Sequence, residues 1–350
     1  MNELYGRPIS RDSLKRRVGH MSQIAGARAC VLASGAARGV EAVDVKTGSG
    51  FEFTVLPGRG LDIAWASYRG VPIGYISKTG VVSPAFFEER GASGFLRNFF
   101  AGLMTTAGLS NIGVPSAVDG AEFGLHGRIS NVPAEDVAVS QQWVGDEYRI
   151  VVAGTVRQAS AFGECLVLRR EIATGLGANS LIVRDTVENA SVRPEPLALL
   201  YHCNFGYPIV SGASRLYATR GGVDPRDAKA AAGLAQHREF GDPQPGYVEE
   251  CFYHRPETKH ARAYAAVFNE ELDLGAFVRY RTDTLPLLVE WKMLGEQEYV
   301  VGLEPGTSLL DGRSELLRRG EAPILAPGET RSFEVEIGVV ENRAALEALA

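Results

Sequence analysis

Short apolar runs, broken at close intervals by glycine and proline, follow one another along most of this chain. Residues 28–35 (RACVLASG), 39–48 (GVEAVDVKTG), 51–58 (FEFTVLPG) and 62–77 (DIAWASYRGVPIGYIS) are separated by turn signals, and the pattern resumes after residue 135. Residues 181–189 (LIVRDTVEN) alternate apolar with polar, which predicts a strand half-buried in an antiparallel sheet. Later runs at 197–210, 261–269, 275–281, 286–294, 299–306 and 331–341 bring the strand candidates to more than a dozen. Helical patterning is sparse: residues 10–26, with Ser10 or Asp12 as cap, 224–236, and the tail 341–350. The expected fold is therefore all-β, one large domain of packed antiparallel sheets with a few short helices. The division expected is an N-terminal extension at 1–24, a β-sandwich domain at 25–340 and a short helix at 341–350. A doubly wound α/β fold would need helices between its strands, and neither a GxGxxG nor a GxxxxGK[ST] motif occurs.

Composition narrows the function without naming it. The chain has 350 residues, 45% of them hydrophobic, and a formal charge of −6, so a sizeable core is available. It holds no basic tract, so nucleic acid is not expected as a partner. No apolar run approaches the roughly 20 residues of a membrane helix. The start, MNELYGRPIS, is polar and lacks an export signal's apolar core. Cys30, Cys165, Cys203 and Cys251 are scattered, with no CxxC spacing, so neither a zinc site nor a disulfide framework is read from them. A reduced, cytoplasmic setting is the expectation.

Five stretches hold residues able to carry chemistry. In 122–133 (EFGLHGRISNVP), His126 sits beside Gly127 with Arg128 next. In 199–208 (LLYHCNFGYP), a strand would send His202 and Asn204 to one face and Tyr201 and Cys203 to the other. In 299–306 (YVVGLEPG), Glu304 closes a buried apolar run, where a carboxylate is expensive unless paired or used. In 288–295 (LVEWKMLG), Trp291 offers a flat face to a sugar ring, with Lys292 beside it. In 94–113, Arg97 lies among apolar residues; Arg59 and Asp62, near a tight turn, read as an internal salt bridge. Each also has an ordinary reading, as a core histidine, a solvent-facing carboxylate or an interior tryptophan.

Together these stretches resemble the aldose 1-epimerase, or galactose mutarotase-like, superfamily. The likeness rests on a histidine in an H-G loop (Leu125-His126-Gly127), a second histidine followed by Asn and an aromatic (His202-Cys203-Asn204-Phe205), and a carboxylate in an L-E-P turn about a hundred residues later (Leu303-Glu304-Pro305). It covers roughly residues 25–340 and is similar to an uncharacterised bacterial branch. The resemblance implies a large antiparallel β-sandwich with a sugar site on a concave face. It further implies Glu304 as general base, His202 as general acid and His126 as a holder of ring oxygens. An arginine for substrate hydroxyls is also implied; Arg97 is chosen, with Arg59 and Arg128 competing. Asn204, Trp291, Lys292 and Arg128 complete the expected substrate contacts. The aspartate that grips sugar hydroxyls in the family has no clear match. The implied reaction is interconversion of α and β anomers by ring opening, with no metal and no redox cofactor. The partner would be a sugar or sugar acid, and a homodimer is the assembly entertained. Epimerisation of another sugar on the same site, carbohydrate binding without turnover, and a polysaccharide lyase or hydrolase are the alternatives. Acid and base should face one cleft across a gap the size of a pyranose ring.

Overall fold

The computed structural model describes residues 2–258 and 261–349. Among these, two antiparallel sheets form the body. The larger has the strand order Gly221–Pro225, Glu250–Pro256, Leu287–Gly295, Glu298–Gly306, Ala198–Gly206, Met104–Leu109, Asp62–Tyr68, Phe51–Leu56, Glu41–Lys46, Gly26–Val31. The smaller runs Glu135–Val144, Glu147–Ala159, Cys165–Gly175, Ser180–Asn189, Thr330–Val340, Leu274–Arg281, Arg262–Asn269, Ser214–Ala218. Residues 181–189 alternate as the pattern required, burying Leu181, Val183, Asp185, Val187 and Asn189.

The main core lies between the sheets. Leu199, Tyr201, Cys203 and Phe205 of the larger sheet meet Ile150, Val152, Leu168, Val183 and Val335 of the smaller. Leu4 and Leu14, from the first residues of the chain, are buried in the same core. A charged knot crosses it. Arg170 Nε and Nη2 donate to the two oxygens of Asp185 at 2.9 and 2.6 Å, and Nη1 reaches Thr106 Oγ1 at 2.8 Å. Tyr201 donates to Asp185 at 2.7 Å, so the pair ties the smaller sheet to the strand of His202. Bidentate geometry and full hydrogen bonding are what make a buried ion pair tolerable.

The three expected helices occur in shortened form: Arg11–Lys15 capped by Ser10, Ala228–Gly233 capped by Asp227, and Arg343–Glu347 capped by Asn342. Two more, Gly91–Asn98 and Arg313–Arg319, lie outside the sequence expectation. Glycine at 91 and 94 hides the first, since glycine is a poor helix former; burial of Phe95 and Asn98 holds it in place. No described helix is long and apolar enough to cross a membrane.

Candidate active site

Even-numbered residues of Ala198–Gly206 point away from the main core, and so do Trp291 and Glu304 on the next strands. Antiparallel pairing of Cys203 with Leu303 and Asn204 with Gly302 sets His202 beside Glu304 on adjoining strands. Trp291 stands opposite both Gly302 and Cys251. These residues floor a cavity of about 870 Å³, walled by Phe95, Phe99, His126, Arg226, Glu249, Met293 and Val300. The volume is within the ordinary range for small-molecule sites.

His202 Nδ1 is 2.6 Å from Asn204 Oδ1. Asn204 spends its amide protons on the carbonyls of Gly102 and His202, at 3.2 and 2.8 Å, so Oδ1 must accept and Nδ1 must carry hydrogen. That leaves Nε2 as the reactive nitrogen. Glu304 Oε1 lies 3.2 Å from the same Nδ1, yet it has no hydrogen-bond partner and the residue is 1% exposed. Gly302 is the reason the carboxylate fits: a Cβ there would stand 2.2 Å from Glu304 Oε1. Burial pushes the Glu304 carboxyl well above its usual range, nearby Glu249 adds to this, and Arg226 opposes it. Burial drives His202 well below the usual imidazole value, with His126 adding to the effect and the Asn204 bond opposing it.

The His126 loop is held by backbone. His126 adopts a left-handed φ of 56°, and Asn111 Nδ2 donates to Gly124 O at 2.8 Å. Gly127 has φ 67°, and a Cβ on it would stand 2.3 Å from Gly108 O. That glycine therefore lets the loop lie against the neighbouring strand. Gly113 N–H donates to His126 Nδ1 at 3.3 Å, placing the ring hydrogen on Nε2. Burial lowers the His126 pKa to about 4, so at neutral pH it is an uncharged donor. Its ring centre is 5.6 Å from that of His202 and 4.9 Å from that of Phe95.

The structure thus brings together His126, His202, Glu304 and Trp291, and leaves other expected contacts elsewhere. Arg97 is exposed on its helix, where Phe95 and Leu96 face the cavity instead. Arg128 braces its loop, donating to Glu164 Oε1 at 2.8 Å and to Ala159 O at 2.9 Å. Arg59 is buried but donates to the carbonyls of Ser130, Val82 and Asn98, a strut rather than the expected salt bridge. Lys292 points to the opposite side of its strand from Trp291 and donates to Gln236 O at 3.0 Å. Asn204 is fully buried behind His202, so it orients the imidazole. The wide gap expected between acid and base is absent because the two residues occupy adjacent strands. Glu304 also lies inside its strand, which continues to Gly306.

The arginine at the cavity is Arg226, which sequence reasoning missed. It precedes the helix cap Asp227 and donates to Glu249 Oε1 at 3.0 Å and Cys251 Sγ at 3.0 Å. Glu249 in turn accepts the Trp291 indole N–H at 2.8 Å, fixing the ring plane. Nothing in the residues around Pro225-Arg226-Asp227 signals this role.

The sheet layout is that of a galactose mutarotase-like β-sandwich. The chain belongs to the family described as domain of unknown function DUF4432, whose profile matches residues 37–339. A Klebsiella pneumoniae structure, described as a putative aldose 1-epimerase, is similar at 27% identity over 97% of this chain and 89% of that one, with a TM-score of 0.88. A galactose mutarotase-like protein from Clostridium acetobutylicum shares the fold at 15% identity and TM-score 0.62, covering 91% of this chain and 99% of that one. Galactose 1-epimerase from Lactobacillus acidophilus does so at 12% identity and TM-score 0.59, covering 91% and 100%. No curated protein matches the sequence.

Proposed function

We propose that the protein is a sugar mutarotase of the aldose 1-epimerase type. The observation that carries this reading is the pairing of Glu304, with one bare carboxylate oxygen, and His202, with its free nitrogen fixed as Nε2, on one cavity floor beside Trp291. The ring oxygen and the anomeric hydroxyl are bonded to one carbon, so an adjoining acid and base can serve both. Glu304 takes the proton of the anomeric hydroxyl while His202 Nε2 gives one to the ring oxygen. The ring opens, the C1–C2 bond rotates, and closure on the other face reverses both transfers. In the open-chain state Glu304 is protonated and His202 neutral, which is the form that burial favours for both groups. The empty site holds that same form, so the reaction begins with passage of the Glu304 proton to His202 Nε2, and the pair carries one exchangeable proton throughout. Each positioned transfer contributes about 10²–10⁴-fold. Neutral His126 donates from Nε2 to a sugar oxygen.

The charges favour a neutral sugar. Lys78 is paired with Glu298 at 2.6 Å and Arg226 with Glu249 at 3.0 Å, so among the described residues both cations lining the cavity are neutralised by carboxylates beside them. Anomer exchange measured by NMR over a panel of neutral sugars, uronic acids and sulfonated or phosphorylated sugars tests the reading. Exchange of a neutral sugar, lost in Glu304→Gln with binding retained, is the expected result; full activity in that variant would overturn the base assignment, and a silent panel would leave a non-catalytic binder.

A further inference from the structure

Behind the wall that carries Trp291, three more ligand-bearing side chains converge. Glu290 Oε2 is 2.8 Å from His237 Nδ1 and 2.9 Å from His254 Nε2. The donor atoms of the three residues lie within 4.8 Å of one another, and all three residues are buried. Glu290 is 0% exposed, and its second oxygen, Oε1, has no partner. Hydrogen bonding alone puts two imidazole N–H groups on one oxygen and leaves the other bare where no water reaches. The neighbouring cations do not fill the gap: Lys292 donates to Gln236 O at 3.0 Å, and Lys229 pairs with Glu250 at 2.7 Å.

We propose that His237 Nδ1, His254 Nε2 and the Glu290 carboxylate bind a divalent transition-metal ion of the zinc class. Two imidazoles and a carboxylate are a donor set zinc accepts, and a bidentate Glu290 would supply four donor atoms and use the bare oxygen. Zinc bonds of about 2.0–2.1 Å at tetrahedral angles put neighbouring donors roughly 3.3 Å apart, so each imidazole draws back from Glu290 Oε2 by about half an ångström, and the two imidazole nitrogens, within 4.8 Å of each other, settle round the ion. In the metal-bound form the ring hydrogens sit on His237 Nε2 and His254 Nδ1. The site is closed, so the ion is structural. It lies on the opposite face of the strands that floor the cavity. Glu290 is back to back with Trp291. His254 belongs to the strand that follows Glu249, and His237 ends the helical segment that begins next to Arg226. One ion would clamp the three supports of that wall. The three ligands come from separate segments, so no local spacing in the sequence announces them.

The test uses the full-length protein, stripped with a chelator, dialysed, and titrated with zinc and separately with cobalt(II). Elemental analysis should return roughly one zinc per chain, zinc should raise the melting temperature, and His254→Ala and Glu290→Gln should bind at least about tenfold more weakly. The cobalt form should show visible bands of a nitrogen and oxygen ligand set without thiolate charge transfer. No stoichiometric zinc uptake by the wild type, thiolate bands, or unchanged zinc affinity in His254→Ala would each overturn the proposal. The wild-type measurements decide the matter even where a variant fails to fold.

Discussion

Replacing Glu304 by glutamine is expected to abolish anomer exchange and to stabilise the fold, by an amount that grows with pH. The carboxyl is 1% exposed with one oxygen unpartnered, and burial, reinforced by Glu249, holds its folded pKa well above the ordinary 4.5. In the unfolded chain the same group ionises near that ordinary value. At pH below about 4.5 both states are protonated and the group's contribution is fully present. Above it the unfolded chain releases a proton that the folded chain keeps, so wild-type stability falls as pH rises towards the folded pKa. The slope from one such group approaches about 1.4 kcal/mol per pH unit. Glutamine fills nearly the same volume and has no such dependence. For 350 residues an unfolding entropy of about 2.1 cal/mol/K per residue converts that slope to roughly 2 °C of melting temperature per pH unit. Thermal and urea unfolding of both proteins from pH 4 to 8 reads the difference directly. A pH-independent difference, or a variant that loses ground as pH rises, would refute the reasoning, because it would mean that Glu304 is an ionised partner of protonated His202 in the folded state.

Four other outcomes follow from the same geometry. Asn204→Leu removes the acceptor that fixes His202 Nδ1–H, so kcat should fall by about 10²-fold or more with little change in KM, and restoration of activity by glutamine would mark the effect as positional. Gly302→Ala places a methyl where the Glu304 carboxylate lies, 2.2 Å from Oε1, and should cost activity comparable to losing the base; a fully active variant would show that the carboxylate works from another position. Arg97→Ala should leave exchange kinetics within about twofold, since the side chain is exposed and outside the cavity; a large rise in KM would return it to the substrate site. Asp185→Ala takes the bidentate partner from fully buried Arg170, leaving it only Asp62 at 3.4 Å as a carboxylate partner, and frees the Tyr201 hydroxyl, so it should destabilise by about 3 kcal/mol, read by urea unfolding; a loss under about 1 kcal/mol would mean that Asp62 alone neutralises the arginine.

How much of this was legible in the sequence depends on whether the determining contacts are local. The alternation in residues 181–189 exposes a two-residue period, and it gave the strand and its buried face, because each residue's orientation follows from its neighbours along the chain. His126, His202 and Glu304 were readable as a set because each sits in a short segment whose neighbours are distinctive. Their separation was not readable. It follows from the register Cys203–Leu303, a pairing across a hundred residues that no local pattern states. Arg97 and Arg226 make the same point from opposite sides. Arg97 has the apolar company of a buried clamp, yet a helix turns it outward while Phe95 and Leu96 face the cavity. Arg226 has the company of an ordinary turn, yet the strand that starts at Glu250 returns beside it, and Glu249 holds it against the cavity.

Trp291 and Lys292 extend the argument to the two faces of a single strand. Neighbours in sequence, they were read as one binding pair, but the two-residue period of a strand must send them to opposite sides. One side holds Trp291, Glu304 and His202 at the cavity. The other holds Lys292, Glu290, His254 and, from the covering segment, His237. The strand Leu287–Gly295 therefore keeps both of its charged residues on one face and Leu287, Val289, Trp291 and Met293 on the other, a division that a simple apolar-to-polar count along it does not show. A strand with two buried charges on one face cannot slip by one residue without carrying Glu290 and Lys292 to the cavity face, away from their partners. The polar groups that obscure the pattern are thus the same groups that lock the register on which the alignment of Trp291 and Glu304 depends.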